Sequence, residues 1–275
     1  MNSVFWKYIV DFPEFKSIQQ IAQKYYTQNG TSSNQTGGAK TKRYKYKGYS
    51  FSVDFSKKGD MIDISIFTHQ KNPLSCATLL INPEGRGALQ NMSFMSECME
   101  PPYESETGGG SIILQLVLRI IEIHKDQYGI KQITVSDNST KQCPGCQKEI
   151  ILSDMYFLLH GNTWYGRYGF RPKKDTYWYD AYIKNQQIIN ATLTNDVPLY
   201  DYISEVVNEY KLPGIKLDNI KKFIDAMHGK PLMKTLQIFL KYFKKYCCVF
   251  TYIAPKIMNK LEMERFHRQI FYLDV

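Results

Sequence analysis

The sequence predicts an α/β fold in which a mixed, largely antiparallel sheet surrounds a central βαβ unit and is followed by a helical C-terminal extension. Three observations support this prediction. Alternating strand patterns occupy residues 44–95, a long apolar helix follows a run of glycines, and helical periodicity dominates from Leu199 onward. We expect residues 1–197 to form the α/β domain and residues 198–275 to form the extension.

The N-terminal region contains one predicted helix and one predicted loop. Asp11-Phe-Pro13-Glu14 resembles a helix cap, and apolar residues then recur at helical spacing as far as Tyr26. Residues 28–42 are rich in Gly, Ser, Thr and Asn, and we expect a mobile loop there. Lys40 to Lys47 interleaves basic and aromatic residues, as does a surface for single-stranded nucleic acid, but the pattern favours an edge strand with its lysines in water.

Two antiparallel strand pairs are predicted before the long helix. Residues alternate between polar and apolar over Tyr44 to Phe55 and Met61 to Phe67, which predicts a hairpin with its turn at residues 57–60. Ala77 to Ile81 and Leu89 to Met95 form the second pair, on either side of a Gly- and Pro-containing turn. The four strands would form a meander.

A glycine run opens the predicted helix. Gly108-Gly109-Gly110-Ser111 precedes an apolar helix over Ile112 to Gln127, and Gly129 suits its C-terminal cap. Ile130 to Val135 is the next predicted strand and completes a βαβ unit. Free N–H groups at a glycine-rich helix N-terminus form an anion site, for which a pyrophosphate is a natural occupant. The glycine spacing fits neither a dinucleotide fingerprint nor a Walker loop.

A helix predicted over Ser153 to Tyr165 ends in Tyr165-Gly-Arg-Tyr-Gly169-Phe170. The order of elements from Ala77 to Pro172, with this ending, resembles the GNAT acetyltransferases, whose fold includes a Tyr-X-X-X-Gly-Phe pattern after such a helix. The resemblance implies an acetyl-coenzyme A-dependent N-acetyltransferase, in which an amine attacks the thioester directly. The implied cofactor-binding residues are Met95, Gly108, Gly109, Gly110 and Ser111.

The resemblance also implies that the Tyr165 hydroxyl acts as general acid for the departing thiolate. An amine acceptor needs a base, and Glu97 is our candidate, with Glu100 as a second choice.

The chain departs from the family pattern in two places. Glu104 and Glu106 replace the usual arginine or glutamine before the glycines, and residues 140–148 are inserted after the link Asp137-Asn138, which corresponds to the family's short Asn-containing link.

These departures leave other functions open. A catalytically inactive GNAT-fold protein with a structural or binding role, for example as a component of a virus particle, is the main alternative. A nucleic-acid-binding module is the third, and it rests only on the formal net charge of +9. The partners that these hypotheses imply are coenzyme A, an unidentified amine and nucleic acid.

Six cysteines are too few for a secreted disulfide framework, so reduced thiols are expected. Cys143-Pro-Gly-Cys146 has the spacing of half a zinc site. Cys98 and His160 could complete it only if the fold brought them close, so no metal is expected, and Cys143 and Cys146 are weak candidates. The favoured interpretation of the Cys-X-X-Cys segment is a tight surface turn.

The remaining predictions concern the C-terminal half of the chain, its cellular location and its source. Residues 177–182 could form a strand, and helices are expected to break at Pro213-Gly214, at Gly229-Lys-Pro231 and at Pro255. The apolar stripe that includes Leu236 and Phe239 should pack onto the main domain. No segment is apolar enough to span a membrane and no secretory signal is evident, which favours an intracellular, cytoplasmic protein. The abundance of Tyr, Lys, Ile and Asn, residues of AT-rich codons, is typical of many large DNA viruses.

Overall fold

The computed structural model describes residues 40–90, 92–104, 108–143, 148–212, 214–242 and 247–275. The helix predicted at residues 11–26 and residues 28–39 of the predicted loop lie outside these ranges. The strands are β1 (Lys40–Tyr46), β2 (Tyr49–Lys58), β3 (Met61–Phe67), β4 (Ser75–Ile81), β5 (Arg86–Gln90), β6 (Gln132–Ser136), β7 (Thr140–Cys143), β8 (Lys148–Ile151) and β9 (Ile270–Asp274). The helices are α1 (Gly109–Tyr128), α2 (Leu152–His160), α3 (Tyr177–Ala191), α4 (Leu199–Glu209), α5 (Leu217–Ala226), α6 (Leu232–Tyr242) and α7 (Cys247–Lys260).

The predicted α/β class is confirmed. Seven strands form one sheet in the order β1-β2-β3-β4-β5-β6-β9, and β7 and β8 form a separate hairpin. Strands β1 to β5 pair antiparallel. Lys131 and Gln132 donate backbone hydrogen bonds to Gly85, and the Thr134 hydroxyl donates to Gly87, so the contacts advance in the same direction along β5 and β6. These two strands are therefore parallel, as the predicted βαβ unit requires.

The chain divides into two compact units. The first comprises residues up to Thr134 together with Asp274 and Val275, and the second comprises Val135–Leu273. In the first unit, α1 packs against β4 and buries an apolar face that includes Ile113, Leu116 and Ile120. In the second unit, α2 packs against α6 and α7, and α4 packs against α5 and α7. The predicted boundary after residue 197 stays a prediction.

The strand predicted over residues 44–55 is in fact a hairpin. It breaks at Lys47 and Gly48, which both have positive φ (49° and 84°), the backbone that a two-residue type I′ turn requires. Strand β1 is the edge strand that was predicted, but it begins at Lys40, so residues 40–42 belong to the sheet and not to the predicted loop. Strand β5 is shorter than predicted and ends at Gln90, five residues before Met95.

Several expectations for the second unit are corrected. Helix α2 ends at His160, where Gly161 caps it in the left-handed conformation, so Tyr165 lies in a separate 3-10 turn over Tyr165–Tyr168. The aromatic run at residues 177–182 forms the start of α3 and not a strand, with Thr176 as its N-cap. Pro255 lies inside α7 and does not end it.

The C-terminal helices otherwise follow the periodicity. Breaks occur at residue 214 and between α5 and α6, as predicted. Leu236 and Phe239 of α6 are buried, and the Gln237 amide donates to the Leu159 carbonyl of α2 at 2.6 Å, so the apolar stripe packs within the protein. The final strand β9 was not predicted. It runs antiparallel to β6, because Val275 donates to Lys131 at one end and Asp137 donates to Gln269 at the other.

Candidate functional site

The glycine run forms the first turn of α1 in the first unit. Gly108 is the N-cap and has φ of 97°, a left-handed conformation that favours glycine. A side chain on Gly109 would overlap the ring of Phe94. The helix therefore begins three residues earlier than predicted. The local structure explains why glycine occupies positions 108 and 109.

The first turn of α1 has the properties of an anion site. Ile112 donates the first intrahelical bond, to the Gly108 carbonyl at 3.2 Å. The N–H groups of Gly109, Gly110 and Ser111 precede that bond and point out of the helix end. The dipole of this 20-residue helix adds about half a positive charge there. The turn can thus bind a phosphate group through its backbone.

Two aromatic side chains lie beside the glycine turn. Phe94 packs on Gly109, and a Cβ atom on Gly108 would be 3.0 Å from the Tyr103 hydroxyl. The Phe94 and Tyr103 rings are perpendicular, with centroids 5.6 Å apart. Phe94 is 38% exposed, which is high for a large apolar side chain. Glu104 is exposed, and Glu106 lies outside the described residues.

Met95, Glu97 and Glu100 lie in the segment that follows β5. Met95 is half-buried and precedes the 3-10 turn Ser96–Cys98, which holds Glu97. Glu97 is half-buried, and its backbone carbonyl accepts a hydrogen bond from the His69 N–H at 2.9 Å. Glu100 pairs with Ser50 through two backbone hydrogen bonds, which aligns this segment with the start of β2.

The Glu100 side chain belongs to a small polar cluster that was not predicted from the sequence. Its carboxylate lies 3.4 Å from the Arg43 guanidinium and 3.9 Å from His69 Nδ1. The His69 ring also contacts the Ser52 hydroxyl at 3.3 Å and the Ser50 carbonyl at 3.1 Å. Because the Glu100 carboxylate already pairs with Arg43, Glu97 remains the better candidate base of the two. Strand pairing creates this cluster, and no local motif could have indicated it.

Tyr165 lies in the core of the second unit. It is 4% exposed and packs on Trp164 and Phe170, with ring centroids 4.7 Å and 5.9 Å away. Burial and the nearby Asp137 carboxylate raise the pKa of Tyr165 far above its usual value, although a hydrogen bond with the Ser139 side chain opposes them. The phenol is therefore protonated at neutral pH, as a general acid must be, but the raised pKa also makes it a weaker proton donor than an ordinary tyrosine.

Tyr165 is part of a buried polar network. Asp137 is fully buried, and burial raises the pKa of its carboxyl to about 7, while hydrogen bonds from Ser139 oppose the shift and Asp154 adds to it. The backbone of Asp137 pairs with Arg268 and Gln269 just before β9. Its Oδ2 atom has no hydrogen-bond partner among the described residues. The Asp137-Asn138 link was noted in the sequence, but the contact of Asp137 and Ser139 with Tyr165 appears only in three dimensions.

In the edge strand β1, the side chains of Lys42, Arg43 and Lys45 are exposed, whereas those of Tyr44 and Tyr46 are half-buried. The Tyr44 hydroxyl contacts His124 Nε2 at 2.8 Å, and the Tyr46 hydroxyl donates to Gln115 at 3.1 Å, so both side chains are engaged with α1. Lys42 lies over the ring of Phe55 at 5.2 Å. Single-strand binding modules stack bases on free aromatic faces. The third hypothesis therefore keeps only its electrostatic support.

The cysteines differ from the expected reduced state. Disulfides join Cys76 to Cys98 in the first unit and Cys143 to Cys247 in the second. The sulfurs of Cys143, Cys247 and Cys248 all lie within 4.8 Å of one another, and neither Cys98 nor His160 belongs to this group. Cys146 lies outside the described residues. Cys143 is buried at the end of β7, where it pairs with Lys148 of β8, and residues 144–147, on which the predicted turn falls, lie outside the described residues.

A shallow cavity lies elsewhere, between α4 and α5 of the second unit. Its lining includes Val197, Leu199, Tyr200, Ile224 and His228, and none of the predicted site residues.

None of the helices in the described ranges is both long and apolar enough to cross a lipid bilayer. No family model, curated protein or solved structure matches the chain.

Proposed function

We propose that the chain is an acetyl-coenzyme A-dependent N-acetyltransferase of GNAT type. An amine attacks the thioester carbonyl, the new C–N bond forms, and the C–S bond breaks with release of the coenzyme A thiolate. The thiolate takes a proton from Tyr165, and the amine loses one to a base, for which Glu97 is the candidate. The first turn of α1 binds the pyrophosphate, with Met95 beside the bound cofactor.

The observation that carries this proposal is the N-terminus of α1. It combines a left-handed Gly108 with three small residues, Gly109, Gly110 and Ser111, at the positive end of a long helix. The helix follows antiparallel strands and leads to β6, which is parallel to β5. This order of elements supports the resemblance from which Tyr165 takes its role. The protonated phenol is compatible with that role.

A non-catalytic protein of the same fold is the second candidate. Tyr165 is 4% exposed and is already hydrogen-bonded to Ser139, and Phe94 packs on the glycine turn. These contacts would also hold a structural protein together. The two candidates differ in whether coenzyme A binds and whether an acetyl group is transferred.

Coenzyme A binding is tested best at Ser111. Ser111 is the third residue of α1, where a glutamate is favourable for the helix but would repel a pyrophosphate. We expect Ser111→Glu to keep the thermal stability and to weaken coenzyme A binding roughly tenfold or more in calorimetry. Ser111→Gln, with the same shape and no charge, is the matched control and should bind nearly as wild type. Gly109→Glu is unsuitable, because its side chain would displace Phe94.

Equal affinity of the glutamate and glutamine variants would place the pyrophosphate elsewhere. If the wild type binds no coenzyme A, the non-catalytic candidate replaces the enzyme.

Acetyl transfer is tested at Tyr165. Acetyl-coenzyme A is offered with a panel of amines, lysine peptides and amino sugars while free thiol release is recorded. We expect Tyr165→Phe to lower the acceptor-stimulated rate by roughly 10²-fold or more, with coenzyme A affinity nearly unchanged, because the general acid is lost. Loss of the hydrogen bond with Ser139 should cost about 1 kcal/mol of stability.

Trp164→Phe is the control for packing in the same turn, because it changes a neighbouring ring and leaves the phenol in place. A rate that survives in Tyr165→Phe would remove this residue from the mechanism.

A further inference from the structure

Three cysteine sulfurs converge in the second unit from two distant parts of the chain. Cys143 ends β7, and Cys247 and Cys248 begin α7, more than 100 residues later. The Cα atoms of Cys143 and Cys247 are 5.9 Å apart, and the Sγ atoms of Cys143 and Cys248 are 3.4 Å apart. Among the described residues, this is the only group of three or more His, Cys, Asp or Glu side chains close enough to share an ion.

The spacing of the sulfurs suits one tetrahedral zinc ion. Zinc–thiolate bonds of about 2.3 Å place tetrahedral ligand sulfurs about 3.8 Å apart. The three sulfurs here lie within 4.8 Å of one another, with one separation of 3.4 Å, so small side-chain rotations reach that geometry.

The surroundings favour a structural metal site. Cys143 and Cys248 are 1% and 3% exposed, and Ile150, Leu152, Met155 and Leu212 surround them with apolar surface. Such a shell keeps water and competing ligands away from the ion.

We propose that reduced Cys143, Cys247 and Cys248 bind one zinc ion, which ties the β7–β8 hairpin to the start of α7. Binding releases one proton from each thiol that coordinates the ion. All three sulfurs take part in disulfides in the structure, and a phosphine reductant converts each disulfide to two thiols. The phosphine takes the oxygen of one water molecule, and the two hydrogens of that water go to the sulfurs.

The test measures zinc in the full chain purified with a phosphine reductant and without chelators. We expect one zinc per chain by elemental analysis, and a loss of at least fivefold in Cys143→Ser and in Cys248→Ser. The matched control is the double variant Cys76→Ser with Cys98→Ser, which removes a buried disulfide of the first unit and should keep its zinc.

A second measurement uses the wild type, and it tests the proposal even if the serine variants fail to fold. The wild type is stripped with a chelator and titrated with cobalt, which should produce thiolate-to-cobalt charge-transfer absorption, and zinc should protect Cys143, Cys247 and Cys248 from alkylation. The proposal is overturned if the reduced, folded protein contains no zinc and shows neither the absorption nor the protection. It is also overturned if Cys143→Ser folds and retains a full equivalent of zinc.

Discussion

Burial changes the pKa of a single carboxyl group, that of Asp137. The pKa of its carboxyl is raised to about 7 in the folded protein, mainly by burial, compared with an ordinary value of 3.8 in the unfolded chain. Between these two values the folded state holds more protons than the unfolded state, so raising the pH through this window lowers stability. Well above pH 7 both states are ionised and the loss is complete.

Asp137→Asn removes this titration. We expect the free energy of unfolding of the variant, relative to wild type, to rise between pH 5 and 7 by at most about 1.4 kcal/mol per pH unit. The difference should level off above the pKa of Asp137, which is about 7. Chemical denaturation at several pH values measures it. Ser139→Ala serves as a control, because it keeps the carboxyl and removes only the hydroxyl that hydrogen-bonds to Asp137 and Tyr165. A difference that does not depend on pH would show that Asp137 is ionised throughout.

At the scale of elements, one ion pair joins α2 to the segment before β9. The Arg265 guanidinium contacts the Asp154 carboxylate at 2.6 Å and 2.8 Å, and the Asp154 side chain is 2% exposed. Burial raises the pKa of Asp154, and Arg265 opposes this shift. Arg265 therefore allows a buried carboxylate to remain in the core of the second unit.

Arg265→Gln should destabilise the protein by about 2 kcal/mol at pH 8, because it leaves a buried charge without its partner. The loss should shrink as the pH falls and Asp154 takes up a proton. Arg86→Gln is the matched control, since the Arg86–Glu84 pair is exposed on both sides and its loss should cost less than about 1 kcal/mol. Unfolding midpoints in urea at pH 8 and pH 5 compare the two. Equal losses in both variants would mean that the Asp154–Arg265 pair behaves as a surface pair.

Element boundaries were predicted well where a local signal exists. Gly129 marks the end of α1, and the alternating residues of β2 and β3 predicted their pairing. The Lys47-Gly48 turn was missed, although Gly at its second position is a type I′ signal, because alternation continues on both sides of it. The aromatic residues at the start of α3 have high strand propensity, which the Thr176 cap and tertiary packing overrode.

At the scale of the whole molecule, the terminal strand completes the sheet. Strand β9 pairs with β6, so the last residues of the chain join residues that precede them by more than 130 positions. Helical periodicity could not predict this strand, because a five-residue strand carries little local pattern. The net charge of +9 likewise predicts attraction to anions without choosing one.

Local patterns in the sequence predicted the α/β class, strands β2 to β5, the long helix after the glycines and most C-terminal helices. Periodicity, caps and turns are local signals, and they can be recognised in the sequence without knowledge of the fold. The fold alone brings Tyr165 beside Asp137 and Ser139, and Cys143 beside Cys247 and Cys248. These contacts join residues far apart in the chain, and their energy depends on burial, which no local pattern records.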